Sequence, residues 1–258
     1  MSKIALEREG PLAVLRLKKA RANAIDRTLL QDLVEASREL AADESVTGVL
    51  LASAHPRVFC PGLDLIALQN VDRAELESFM VLFAEAIQTL FGLEKPLVAA
   101  LGGHAVAGGC VLALTADLRI LSAENAQMGL NEVQVGVPLP WTVTQLLQFA
   151  LPPPALARIA LDGCNCADQE ALQTGLAQEL APPDGFEEHC LERLASLASR
   201  ESGAFGLTKR FLRESTLQRM REGEPERLPL FLDAWFSAGS QERIQAQIAK
   251  LTRPRGRS

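Results

Sequence analysis

Two glycine turns and one glutamate carry the residue types and spacings that suit chemistry. The first turn is Phe59-Cys60-Pro61-Gly62-Leu63-Asp64-Leu65, just after an apolar strand ending near Ser53. The second is Ala107-Gly108-Gly109-Cys110, just after a strand ending near Leu101. Each stands where a strand gives way to a helix, so free backbone N–H groups face outward at a helix start. Glycine lets a ligand approach such a backbone closely. Two turns of this kind can each donate one N–H to a single oxygen and so form an oxyanion hole. The spacing is equally that of ordinary strand-to-helix turns. The glutamate is Glu132, flanked by Met128, Leu130, Val133 and Val135. A carboxylate in apolar surroundings has its pKa raised, which suits proton transfer. A solvated surface glutamate fits the same residues.

Other chemistries lack their signatures. There is no G-x-G-x-x-G, no G-x-x-x-x-G-K, no G-x-S-x-G and no H-E-x-x-H. Cys164-Asn165-Cys166 has no further His or Cys at ligand spacing, so it does not read as a metal site. His55, His104 and His189 are isolated in sequence and read as structural. The absence of tyrosine removes the phenol as a catalytic acid. A net charge of −6 is wrong for nucleic-acid binding. The five cysteines are scattered and odd in number, which fits a reducing compartment rather than a disulfide framework. Glu7 and Glu9 stand where a signal or transit peptide would carry no acid, so a cytoplasmic location is expected. Pro96 to Ala116 has no charged side chain and approaches the length of a membrane span. Its glycines make it a buried strand, a turn and a buried helix instead, and no membrane partner is expected.

The elements that must position these residues follow from apolar periodicity. Leu12–Leu17, Thr47–Ala52, Leu97–Leu101 and Leu118–Leu121 read as strands. Asp26 caps a helix whose buried face is Leu29, Leu30, Leu33, Val34 and Leu40. Asp72 and Glu75 have capping-box spacing at the start of another, with Leu76, Phe79, Met80, Phe83, Ile87 and Leu90 on one face. Gly108–Ala116 reads as a buried helix. Beyond Pro138 the strand signals fade and only helices are expected, with a basic tail, Lys250 to Ser258, that frays. The order is α/β first and helical afterwards, with a core over residues 1–195 and a helical region over 196–258.

In this order the motifs resemble those of the crotonase superfamily, the enoyl-CoA hydratase/isomerase family. Ala22-Asn23-Ala24 is similar to the family's N-A turn, and Phe59 to Leu65 to its F-S-A-G-x-D-L loop. Gly102 to Cys110 is similar to its G-x-x-x-G-G-G/C turn, Asp117-Leu118-Arg119-Ile120 to its D-x-R-I strand, and Thr208-Lys209 to its lysine-bearing helix. The resemblance runs from about residue 4 to residue 180 and is weaker beyond. It implies an α/β spiral of ββα units with a C-terminal helical region, assembled as a homotrimer or hexamer. It also implies an acyl-CoA thioester substrate, with coenzyme A as part of that substrate and no metal or redox cofactor. By position, the N–H groups of Leu63 and Gly108 form the oxyanion hole. Asn23, Ala24, Asp26, Cys60, Gly62, Asp64, Leu65, Gly109 and Val111 belong to the substrate site. Lys209 meets a CoA phosphate.

The sequence departs from the hydratases of that family at one informative place. Their pattern has an acidic residue directly after the G-G-C turn and a second in the Q-P-E segment. Here the first position is Val111 and the second is Glu132. Adding water across a double bond needs groups that orient and deprotonate the water while carbon is protonated. Shifting a double bond needs one base that returns the proton elsewhere, and an apolar wall helps exclude water. Gly129-Leu130-Asn131-Glu132-Val133-Gln134-Val135-Gly136, followed by Pro140-Trp141, is similar to a segment of Δ3,Δ2-enoyl-CoA isomerases, as is the run from Phe236 to Leu251. The expected activity is therefore enoyl-CoA isomerisation by Glu132. The alternatives are a hydratase, an acyl-CoA hydrolase or a non-catalytic acyl-CoA-binding subunit. Phe79, Phe83 and Trp141 are the candidates for the acyl-chain walls.

Overall fold

After an opening hairpin, three pairs of strands in this chain each split between two sheets. The computed structural model describes residues 2–123 and 126–252. The chain opens with an antiparallel hairpin, β1 (Ile4–Glu9) and β2 (Leu12–Leu17), and then the helix α1 (Arg27–Ala42). Three strand pairs follow: β3 (Gly48–Ser53) with β4 (Val58–Cys60), β5 (Leu97–Leu101) with β6 (His104–Val106), and β7 (Leu118–Ser122) with β8 (Gln127–Gly129). The short helix α2 (Leu65–Leu68) and the long α3 (Arg73–Phe91) follow the first pair, and α4 (Gly108–Leu114) follows the second. The first members of these three pairs join β1, β2 and β10 (Glu179–Ala181) in a six-stranded sheet of order β1-β2-β3-β5-β7-β10, and the second members join β9 (Asn165–Ala167) in a four-stranded sheet of order β4-β6-β8-β9. This is the expected spiral of ββα units.

The apolar strands are explained by burial on both faces. In β3, Leu50 and Ala52 face one side while Val49 and Leu51 face the other, and all four are buried. The first side is covered by α8 (Phe186–Ala198) through Cys190 and Leu194. The second side is the main core, filled from α1, α3, α4, α5 (Trp141–Ala150), α9 (Ser202–Trp235) and α10 (Ala238–Thr252). The helix starts follow their caps. Asp26 accepts from Leu29 N, and Asp72 with Glu75 closes the capping box.

Three expectations are corrected. Strands do occur after Pro138: β9 (Asn165–Ala167) and β10 (Glu179–Ala181), with the helix α6 (Pro153–Leu156) before them and α7 (Asp168–Thr174) between them. Three-residue strands at sheet edges pair through backbone alone and leave no periodic pattern to read. The division at residue 195 falls inside α8. Nor is the C-terminal region a separate layer, because Met220, Phe231, Trp235, Ile244 and Ile248 belong to the same core as β3 and α4. Of the tail expected to fray, Lys250–Thr252 are helical, and residues 253–258 lie outside the described residues. Pro96 to Ala116 folds as β5, β6 and α4, and among the described residues no helix is long and apolar enough to cross a membrane.

Candidate functional site

The turn Ala22-Asn23-Ala24 is built around one buried cation. Arg21, Ala22 and Asn23 all hold left-handed φ values of 57–65°. Non-glycine residues accept this only when the surroundings over-determine it. Here Lys19 Nζ donates to Ala24 O at 2.6 Å and pairs with Asp26 and Asp64 at 3.0 and 3.1 Å. Asn23 is fully buried and spends its amide on Lys19 N, Ser53 Oγ and Phe59 O. Cys60 donates its thiol to Asn23 O, and its burial pushes the thiol pKa up to about 12, so it is no nucleophile.

That scaffold fixes the two glycine turns against each other. Ile25 N donates to Gly62 O and Asp64 N donates to Ile25 O, a parallel bridge that turns the N–H of Leu63 away from Ile25. Gly62 has φ +99°, and a Cβ there would fall 2.7 Å from Ala107 Cβ and 3.1 Å from Gly108 N. A Cβ on Gly109 would fall 2.0 Å from Cys60 O. Only glycine permits this approach. Ala107, at φ 52°, makes the sharp bend that opens α4, and Gly108 is the first residue of that helix, with its N–H outside the i→i−4 ladder.

Both turns reach a cleft of about 800 Å³. Leu63, Asp64, Leu65 and Ala24 line one side, with Gly108 and Val111 from α4. The outer face of the small sheet supplies another wall. Ala105 of β6 points into the core, so its neighbours His104 and Val106 point the opposite way, into the cleft. Helices α9 and α10 close it with Phe231, Trp235, Gln247 and Leu251.

Glu132 projects into this cleft from the turn after β8. The residue is half-buried, but its Oε2 atom is fully buried and has no hydrogen-bond partner among the described residues. Loss of water disfavours the charged form and raises the carboxyl pKa to about 7. An unpartnered buried carboxylate is costly and needs a reason. Val111, 1% exposed, lines the same cleft and offers it no polar partner.

The structure thus brings together Ala24, Leu63, Asp64, Leu65, Gly108, Val111 and Glu132. Asn23, Asp26, Cys60, Gly62 and Gly109 do not line the cleft and shape its walls from behind. Lys209 is the clear correction. Its ammonium is buried against Asp117 and Lys95 O, both at hydrogen-bonding distance, away from the cleft. Burial lowers its pKa to about 8. Of the three proposed acyl-wall aromatics only Phe83 lines the cleft. Phe79 is core, and Trp141 donates its indole N–H to Arg219 O beneath the Arg227 guanidinium. Sequence reasoning missed Arg21, His104, Gln127, Phe231 and Trp235. The alternation of β6 could have flagged His104, but a three-residue strand is too short to establish a period.

Two packed glycine turns, a spiral of strand pairs and a desolvated glutamate define an enzyme of one class. The chain belongs to the enoyl-CoA hydratase/isomerase family, whose sequence profile matches residues 7–250. It is 29% identical to human mitochondrial enoyl-CoA delta isomerase 1, over 95% of this chain and 82% of that protein. It is also 29% identical to the 2,3-dehydroadipyl-CoA hydratase of Escherichia coli K12, over 98% of both. The crystal structure of human mitochondrial delta3-delta2-enoyl-CoA isomerase superposes with a TM-score of 0.94 at 28% identity, covering 98% of this chain and 100% of that one. Equal identities to an isomerase and a hydratase leave the choice of reaction to the contents of the cleft.

Proposed function

We propose that this protein is an enoyl-CoA isomerase that moves a cis or trans 3-double bond of an acyl-CoA to the trans-2 position. The observation that carries the reading is the buried, unpartnered Oε2 of Glu132 in a cleft where Val111 stands in place of a second acid. The thioester oxygen accepts from the N–H groups of Leu63 and Gly108. Glu132 removes a proton from the α-carbon, and the electron pair moves onto that oxygen as an enolate. Each donor contributes about 3 kcal/mol in that state, by analogy with measured oxyanion holes. Glu132 then delivers the proton to the γ-carbon, and the double bond ends conjugated with the thioester. A base whose pKa is near 7 suits both halves of this transfer at neutral pH. No water takes part, and the apolar Val111 wall keeps water from the enolate. The exposed Leu207, Phe211 and Leu212 of α9 supply an apolar surface suited to the proposed assembly as a homotrimer or hexamer.

The test of the one-carboxylate argument is Val111→Glu. Wild-type protein is expected to isomerise a 3-enoyl-CoA and to leave a 2-enoyl-CoA unhydrated. The variant is expected to gain hydration of the 2-enoyl-CoA, followed as loss of absorbance of the conjugated thioester. A folded variant that isomerises as before and hydrates nothing would contradict the role given to Val111.

A further inference from the structure

Glu132 stands on a very short piece of structure. It precedes a single 3-10 turn, Val133–Val135, that ends at Gly136 in the left-handed conformation. One peptide unit ties this turn back to the glutamate. The Val137 N–H donates to Glu132 O at 2.9 Å, and the carbonyl of the same Gly136–Val137 peptide accepts from Ser240 Oγ at 2.6 Å. Ser240 is 8% exposed and lies in the first turn of α10. The helix presses closely there, because a Cβ on Gly136 would fall 2.6 Å from Arg243 Cδ. Hydrogen bonds at the two ends of one peptide polarise each other, so the serine and the glutamate backbone are coupled through a single rigid plane. Further along α10, Gln247 and Leu251 form part of the cleft wall.

We propose that Ser240 is a positioning residue for Glu132. Its hydroxyl fixes the Gly136–Val137 peptide and thereby aims the carboxylate into the cleft. Helix α10 then serves twice, as the cleft wall and as the mount of the acid–base group. This inference rests on the isomerase reading for its kinetic consequence, but not for its geometry.

The experiment compares Ser240→Ala, Ser240→Thr and Ser237→Ala. Ser237 accepts from Ser240 N and lies 3.1 Å from Ser240 Oγ, but its hydroxyl donates to Ala234 O at 2.8 Å and it makes no hydrogen bond to the Glu132 turn among the described residues. Ser240→Ala is expected to lower kcat about tenfold or more, as small misplacements of reacting groups do. KM should stay within about twofold, because the bulk of the cleft is untouched. Ser240→Thr keeps the hydroxyl and should recover most of kcat. Ser237→Ala should lower the melting temperature and keep kcat. Carbon-13 NMR of glutamate carboxyls, with Glu132→Gln to assign the signal, reads the same coupling without turnover. In Ser240→Ala the Glu132 midpoint should fall toward the ordinary carboxylate range as water reaches the loosened turn. A folded Ser240→Ala with unchanged kcat and unchanged Glu132 titration would overturn the proposal. So would a loss of kcat shared equally by Ser237→Ala. If wild-type protein isomerises nothing, the isomerase reading fails while the NMR titration still decides the role of Ser240.

Discussion

Glu132→Gln is expected to lower isomerisation by at least about a thousandfold, the scale of a lost acid–base group, while CoA affinity stays within about twofold. The substitution keeps the shape of the side chain and removes only its ability to carry the proton. In wild-type protein, kcat should rise with pH through about 7, where Glu132 becomes the carboxylate that starts the reaction. The same substitution should stabilise the fold, and the sign follows from the direction of the shift. Burial raises the carboxyl pKa from 4.5 to about 7, so between those values the native state holds a proton that the unfolded chain releases. Stability therefore falls as pH rises through that window. Glutamine carries no such penalty. Its gain over wild type should be near zero at pH 4 and roughly 2–3 kcal/mol at pH 8. Thermal unfolding of both proteins at the two pH values checks this. Equal stabilities at pH 8 would mean that the Glu132 carboxylate is better solvated than its buried Oε2 implies.

Asp117→Asn is expected to be the most destabilising single change outside the cleft. Asp117 accepts from Lys209 Nζ and Arg213 Nη2, each at 2.6 Å, and from Leu97 N at 2.8 Å. The two cations are each only 6% exposed at their side chains. Asparagine still accepts from Leu97 N but leaves two buried positive charges without a counter-charge. Breaking a buried pair in this way costs about 3–5 kcal/mol, which for a chain of this size is a melting-temperature loss of about 10 °C. Activity per folded molecule at low temperature should change little, because the cluster does not line the cleft. A melting temperature within 2 °C of wild type, or a large rise in KM for CoA substrates with stability intact, would restore Lys209 and its neighbours to a binding role.

Residues fixed by local rules were legible in the sequence. The Asp26 cap, the Asp72–Glu75 box and the apolar runs of β2, β3, β5 and β7 depend on spacing alone, and each sits where that spacing places it. Glu132 was legible as a carboxylate among apolar neighbours, but its unpartnered oxygen is a property of the folded cleft. Lys209 was misjudged because sequence order says nothing of Asp117, 92 residues earlier, which holds it. Asn23 looked like a lining residue because its turn does line the cleft, yet its own amide is directed inward at Phe59 O and Ser53 Oγ. Phe231, Trp235 and Leu251 reach the site only because α9 and α10 fold back over it. No local pattern encodes that return.

The central claim is that one carboxylate, Glu132, shifts a double bond in a thioester that is never hydrated. The most direct measurement follows absorbance of the conjugated thioester with 3-hexenoyl-CoA and, separately, with 2-hexenoyl-CoA. Absorbance rising with the first and steady with the second is the expected result. Absorbance falling with the second, or release of free CoA from either, would contradict it.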